Sequence, residues 1–288
     1  MAKIDQASNR SVVVNIMIDA ELSPFAQNLT AQEEEFVELS SLVEMLENID
    51  SRGINVTVYF TGDFASKQIG NVSYKDYVIR VGSKPNHEIA LHSRMTANKL
   101  GFMSYEQQFS LLTRAKAIIE EAYIRDNKSL IIKGFRPQYF NQSEDTYRVL
   151  DEMGMVYDSG YQAGILYFPG HKNDTWPYLV ENHTFYAVPV STHSISGKLV
   201  HTCDLCSKQV SGLNGTQWSD LLVSKFQECA NRGDPMVVLF HNFVSGEDSE
   251  YMKAFRKFVD FAASKNATFV TTMDLVEMAK RNHPNDQN

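Results

Sequence analysis

With 288 residues, 43% hydrophobic and 22% charged, the chain has the composition of a soluble globular protein with a sizeable core. A formal net charge of −8 and the lack of any Lys/Arg-rich run exclude nucleic-acid binding by phosphate neutralisation. The longest apolar stretches, such as Val12 to Ile18, fall far short of the roughly 20 residues that cross a bilayer as a helix.

Val12 to Ile18, apolar and rich in β-branched side chains, predicts the first strand. Thr30 to Ile49 predicts an amphipathic helix. Thr30 suits its N-cap, Glu33 takes the capping-box position, and Phe36, Leu39, Val43 and Leu46 share one face. Gly53 ends that helix, and Ile54 to Thr61 reads as the second strand. A short helix from Tyr74 to Val81 leads to a third strand, His87 to Leu91. Ser104 to Tyr123 predicts a long helix with Phe109, Leu112, Ala115 and Ile119 on one side. Lys133 to Pro137 is a short strand stopped by its proline, and Ser143 to Met153 is a helix capped by Gly154. After a less regular middle come a helix from Gln217 to Ala230 and a strand from Met236 to Phe240. A helix from Tyr251 to Ser264, a strand from Ala267 to Thr271 and a helix from Met273 to Arg281 complete the series.

Strands alternating with helices over the whole length predict a parallel α/β architecture. No Pro/Gly/Ser-rich linker divides it, so one domain is expected over residues 11–281, between tails at 1–10 and 282–288. The segment from about Gly160 to Gly215, rich in aromatics, Gly and His, breaks the rhythm. It is expected to form loops over one barrel mouth and to set substrate choice.

Ten Asn-x-Ser/Thr triplets occur, at Asn9, Asn28, Asn55, Asn71, Asn127, Asn141, Asn173, Asn182, Asn214 and Asn266. That number leads to the expectation of an exported, extracellular or cell-surface protein. No signal-peptide core opens the sequence, so the expectation includes a leader outside it. Cys203-Asp-Leu-Cys206 lacks the second pair, or the spaced His ligands, of a four-ligand zinc knuckle, and it lacks a thioredoxin-like context. For an exported protein, one disulfide among Cys203, Cys206 and Cys229 is expected.

In barrels of this kind the chemistry sits just past the strand C-termini. Four predicted strand ends carry suggestive residues: Asp19 with Glu21, then His92, then Arg136, then His241. Two carboxylates, two imidazoles and a guanidinium on one mouth fit metal-assisted hydrolysis. One carboxylate and one imidazole hold a divalent ion, the other carboxylate takes a proton from bound water, and the second His protonates the leaving group. Each residue also has a plain alternative, as a loop acid, a helix cap, a satisfied structural His or a salt-bridged Arg.

Taken in order, these segments resemble the polysaccharide deacetylase family, which includes chitin and peptidoglycan N-acetylglucosamine deacetylases. Asp19-Ala-Glu21 is similar to its first motif, Asn86-HEIALHS to its second and Gly134-FRPQYF to its third. Leu150-DEMGMVYDSG, Val237-VLFHN and Val56-TVYFTG resemble further segments, so the resemblance covers roughly residues 11–280. It implies a distorted (β/α) barrel of seven or eight strands. It also implies Asp19 as catalytic base, Glu21 and His92 as ligands of a divalent metal (zinc is expected), and Arg136 as the group orienting the base. Tyr139 is implied in substrate binding and His241 as general acid. The implied reaction is removal of an N-acetyl group from an amino-sugar polysaccharide or oligosaccharide by a metal-bound water.

One position departs from the pattern. Where the family's second motif has another metal-binding His, this chain has Thr96, a weak neutral ligand. Two further readings follow: a catalytically impaired relative that binds glycans, and a small-amide hydrolase on the same fold. His87, Asp158 and Ser159 are expected to be structural. Trp176, Tyr178 and Phe185 stand between sugar stacking and core packing.

Overall fold

The computed structural model describes residues 11–24, 29–124 and 130–282. The expected tail at 1–10, all but Asn282 of the one at 282–288, and the triplets at Asn9, Asn28 and Asn127 lie outside them. Of the other seven triplet asparagines, Asn71, Asn173, Asn182, Asn214 and Asn266 are exposed.

One curled sheet organises the chain. In chain order its strands are β1 (Val13–Ala20), β2 (Val56–Phe60), β3 (His87–Leu91), β4 (Gly134–Phe135), β5 (Tyr157–Gln162), β6 (Tyr178–Leu179), β7 (Tyr186–Val190), β8 (Met236–His241) and β9 (Thr268–Phe269). Eight run in the order β8-β1-β2-β3-β4-β5-β7-β6, and β9 pairs with the start of β1. All neighbours are parallel except β6 and β7. β2 and β8 are buried at every residue, and β1 at every residue after Val13. One face of each fills the barrel and the other meets helices, which is why they read as unbroken apolar runs.

The ring closes imperfectly between β7 and β8. The Ser191 N–H donates to the Val237 carbonyl at 3.0 Å, and the Ser191 hydroxyl accepts from the Val237 N–H at 2.9 Å. Further along, the Leu239 N–H donates to Thr202 at 3.0 Å. These few bonds, in place of a full ladder, make the barrel a distorted one.

The first helix begins as its capping box requires, with the Thr30 hydroxyl accepting from the Glu33 N–H. It then contains a π turn, Phe36–Ser40, before continuing as Ser41–Asp50. The turn places Glu38 inside, where its carboxylate takes Lys67 at 2.6 Å, the Ser23 N–H at 2.7 Å and the Tyr74 hydroxyl at 3.1 Å. That anchor fixes the loop leaving β1.

The N-terminal end of the barrel is closed by a half-buried carboxylate, Glu88. It accepts from the Thr57 hydroxyl at 2.9 Å, the Tyr157 hydroxyl at 2.8 Å and the Met273 N–H at 2.9 Å. Glu88→Ala leaves all three donors without their acceptor, at about 1–3 kcal/mol for each one left unmet. We expect a loss of about 3 kcal/mol or more, read as a lower chemical-denaturation midpoint; an unchanged midpoint would show that water replaces the carboxylate.

The expected disulfide does not form: Cys203, Cys206 and Cys229 are free thiols. Cys229 is turned into the core, where its thiol donates to the Pro235 carbonyl, and Cys206 Sγ lies 3.1 Å from His201 Nε2. The Tyr-Asp-Ser segment opens strand β5. His87 is structural as expected, with Nε2 2.9 Å from Asp50 at the end of β3 far from the site. Tyr178 and Phe185 are core residues, and Trp176 packs against a second part of the core.

The irregular middle contains β6, β7 and a hairpin, Thr192–Ile195 with Lys198–His201. Ser196 and Gly197 turn the hairpin with φ of 51° and 79°, the left-handed pair that a two-residue turn needs. After it, Cys203 bridges alongside Leu239 of β8, and a short helix, Asp204–Gln209, follows.

Candidate active site

Parallel strands deliver their C-termini to one mouth, and this brings the five expected residues together. Asp19 and His241 are register partners on β1 and β8, and Arg136 follows Phe135, itself paired with Leu91, the residue before His92. Asp19, Glu21, His92, Arg136 and His241 are all buried around a cavity of about 220 Å³.

Arg136 anchors Asp19. Its Nε donates to Asp19 Oδ1 at 3.0 Å, a second nitrogen donates to the Ser159 carbonyl at 3.3 Å, and the guanidinium lies 4.5 Å from the Tyr59 ring. One carboxylate oxygen is thus fixed, and Asp19 Oδ2 faces His92 Nε2 at 3.3 Å and His241 Nε2 at 3.7 Å.

His92 Nδ1 lies 3.0 Å from the Arg136 carbonyl. A carbonyl only accepts, so Nδ1 carries the proton and Nε2 its lone pair. Burial holds this imidazole down at about 4, despite the opposing pull of Asp19. The lone pair therefore faces two carboxylates, Asp19 at 3.3 Å and Glu21 at 3.9 Å. Burial pushes Glu21 up to about 7; His241 opposes that rise and Asp19 adds to it. One imidazole lone pair and the Glu21 carboxylate, with Asp19 beside them, form a donor set suited to a divalent ion. His92 and Glu21 thus fit a metal.

Two polar neighbours steady Glu21. Gln138 donates to its carboxylate at 2.8 Å, and Asn242 grips its backbone, accepting from the N–H and donating to the carbonyl, both at 3.1 Å. Thr96 sits close by, its hydroxyl donating to the Leu22 carbonyl at 3.0 Å. It holds the loop that carries Glu21.

The residue that sequence reasoning missed is Asp204. Its Oδ1 lies 2.7 Å from His241 Nδ1, and its Oδ2 accepts from the His241 N–H at 2.8 Å. Burial alone lowers His241, but Asp204, seconded by Asp19 and Glu21, raises it to about 9. Nδ1–H is thereby committed to Asp204, and Nε2–H faces the cavity.

Tyr139 and Phe140 close the rim with φ of 56° and 54°, two consecutive non-glycine residues in the left-handed region. Tyr139 is 55% exposed on that rim. The middle segment does reach this mouth, supplying Gln162, His201, Cys203, Leu205 and Cys206 to the cavity wall and Asp204 behind His241.

Together these features define the polysaccharide deacetylase fold, and solved structures agree over nearly the whole chain. A Pseudomonas aeruginosa PAO1 protein assigned as a polysaccharide deacetylase superposes with a TM-score of 0.73 at 17% identity, covering 96% of this chain and 93% of that one. The allantoinase PuuE gives 0.73 at 15% identity, with the same two coverages. A CE4 family pseudoenzyme from Bacillus anthracis gives 0.56 at 11% identity, covering 93% of this chain and 66% of that one. At these identities the likeness is one of fold. No family model matches the sequence, and no curated protein matches it.

Proposed function

We propose that this site hydrolyses the N-acetyl amide of an amino-sugar glycan. The observation that carries the reading is the pairing of a fixed base with a fixed acid, Asp19 clamped by Arg136 and His241 held by Asp204, across one small cavity. A divalent ion held by His92 and Glu21 would supply a Lewis acid for the amide carbonyl when bound.

The chain's own residues do the proton work. Asp19 Oδ2 takes a proton from the attacking water, whose oxygen bonds to the carbonyl carbon. His241 Nε2 gives its proton to the amide nitrogen as the carbon–nitrogen bond breaks, leaving acetate and the free amine. Asp204 keeps His241 in the tautomer that can donate. The buried carboxylates and the apolar walls of Phe140, Leu205 and Leu239 limit bulk water and strengthen each of these interactions. A cavity of about 220 Å³ lies below the 300–1,000 Å³ that engulfs a drug-sized ligand, so it admits an acetamido group while the sugar chain lies across the mouth by Tyr139.

Release of acetate from N-acetylglucosamine oligomers tests this reading. A second reading, hydrolysis of a small amide wholly inside the cavity, is favoured by that same small volume, and ring opening of a cyclic amide, or release of ammonia from a linear one, without acetate from the glycan would support it.

Thr96 gives the metal a further check. Thr96→His, placing an imidazole beside Glu21, is expected to raise the zinc retained after dialysis, measured by elemental analysis. Unchanged retention would mean that the ring does not reach the Glu21–His92 face.

A further inference from the structure

Part of the cavity wall consists of donor groups that amide hydrolysis leaves unused. Ligand atoms of His201, Cys203 and Cys206 lie within 4.8 Å of one another, and all three residues border the cavity. The local fold brings this about. His201 ends the second hairpin strand and Cys203 continues it in extended conformation, so the two side chains share a face. The chain then enters the helix Asp204–Gln209, whose first turn returns Cys206 to the same place. The Phe140 ring packs edge-on against His201 with centroids 4.8 Å apart, and Leu205 and Leu239 line the adjoining wall.

The geometry points to a second metal site, in which His201, Cys203 and Cys206 bind a borderline-soft d10 cation, zinc, with a fourth position open to the cavity. Two thiolates and an imidazole are the ligand types zinc prefers, and they discriminate against the hard cations that an oxygen set accepts. Tetrahedral zinc, with Zn–N of about 2.0–2.1 Å and Zn–S of about 2.3 Å, separates nitrogen from sulfur by about 3.5 Å. The present 3.1 Å between His201 Nε2 and Cys206 Sγ opens to that value with a shift of a few tenths of an ångström. Asp204 cannot easily take the fourth position, because both of its oxygens are engaged by His241. Three protein ligands and one open position describe a site that exchanges its fourth ligand. The inference stands apart from amide hydrolysis, since its ligands include none of the residues assigned to that reaction.

Cobalt(II), a spectroscopic substitute for zinc, tests it on the full chain under a phosphine reductant. Only a sulfur ligand produces thiolate-to-cobalt charge-transfer absorption in the near ultraviolet, so a metal on Glu21 and His92 stays silent. We expect this band to saturate near one equivalent, to persist in His92→Ala and to be abolished by added zinc. Cys206→Ser, at a half-buried position, is expected to weaken the band and lower cobalt affinity at least about tenfold, already the low end for losing even an outer-shell partner. His201→Ala provides the same reading without touching a thiol. No charge-transfer band in the reduced wild type, or a band undiminished in both variants, overturns the site.

Discussion

Asp19→Asn is expected to lower turnover on the order of 10³-fold, within the range that removal of a general base spans. The amide keeps the shape of the carboxylate and can still accept from Arg136 Nε, but it takes no proton from water. Glu21 and His92 remain, so most of the bound metal should be retained. The variant should also be less stable, because Arg136, only 1% exposed, loses its one carboxylate partner among the described residues. Breaking a buried ion pair from one side costs about 3–5 kcal/mol, softened here by the Ser159 carbonyl and the Tyr59 ring. Circular dichroism at the assay temperature separates the effects: a folded, metal-loaded and inactive protein supports the base. Loss of metal together with activity would make Asp19 the principal ligand and Glu21 the base.

The second large effect is expected at Asp204. A general acid must be protonated, so the His241 step is lost as pH rises through about 9 in the metal-free site. Asp204→Asn removes the largest raising influence while the lowering effect of burial persists. The His241 value then falls, and the alkaline limb of kcat/KM moves to lower pH. Around pH 8 we expect a loss on the order of 10²-fold, with partial recovery as pH is lowered. The same charge contributes to stability. A raised folded-state value stabilises fully below the ordinary 6.5, and that contribution fades as pH rises through 9. The stability difference between wild type and variant should therefore shrink between these limits. A pH profile of unchanged shape, merely scaled down, would limit Asp204 to a structural role.

The strand ends were readable because parallel strands carry their chemistry at their C-termini, and the long apolar runs of β1, β2 and β8 marked those ends clearly. Once the runs were placed, Asp19, His92 and His241 fell on one mouth by topology alone. β4 was equally clear despite its two residues, since Pro137 stops it just past Arg136. Asp204 was not readable. It belongs to no strand end, and it reaches His241 only because residues 202–203 lie along β8 where the barrel closes imperfectly. A local signal did exist. Ser196-Gly197 between His193-Ser-Ile and Lys198-Leu-Val-His201 is a two-residue hairpin turn, and recognising it would have led an extended segment toward Cys203 and Asp204.

The cysteine pair shows a related limit. Cys203-x-x-Cys206 lacks the second pair, or the spaced His ligands, of a four-ligand zinc knuckle. His201 stands only two residues upstream, a spacing that puts two ligands on one face when the chain is extended. The π turn at Phe36–Ser40 had no signature in the periodicity, because Leu39, Val43 and Leu46 keep the spacing of an ordinary helix. Its cause is tertiary: it turns Glu38 inward to Lys67, Tyr74 and the Ser23 backbone.

The most direct test of the central claim is acetate release from a chitin oligomer by zinc-supplemented protein, compared between wild type and His241→Ala. Acetate appearing with matching free amines, and falling on the order of 10²-fold or more in the variant, is the predicted result. No acetate from the wild type at any metal loading, or release unaffected by the loss of His241, would contradict it.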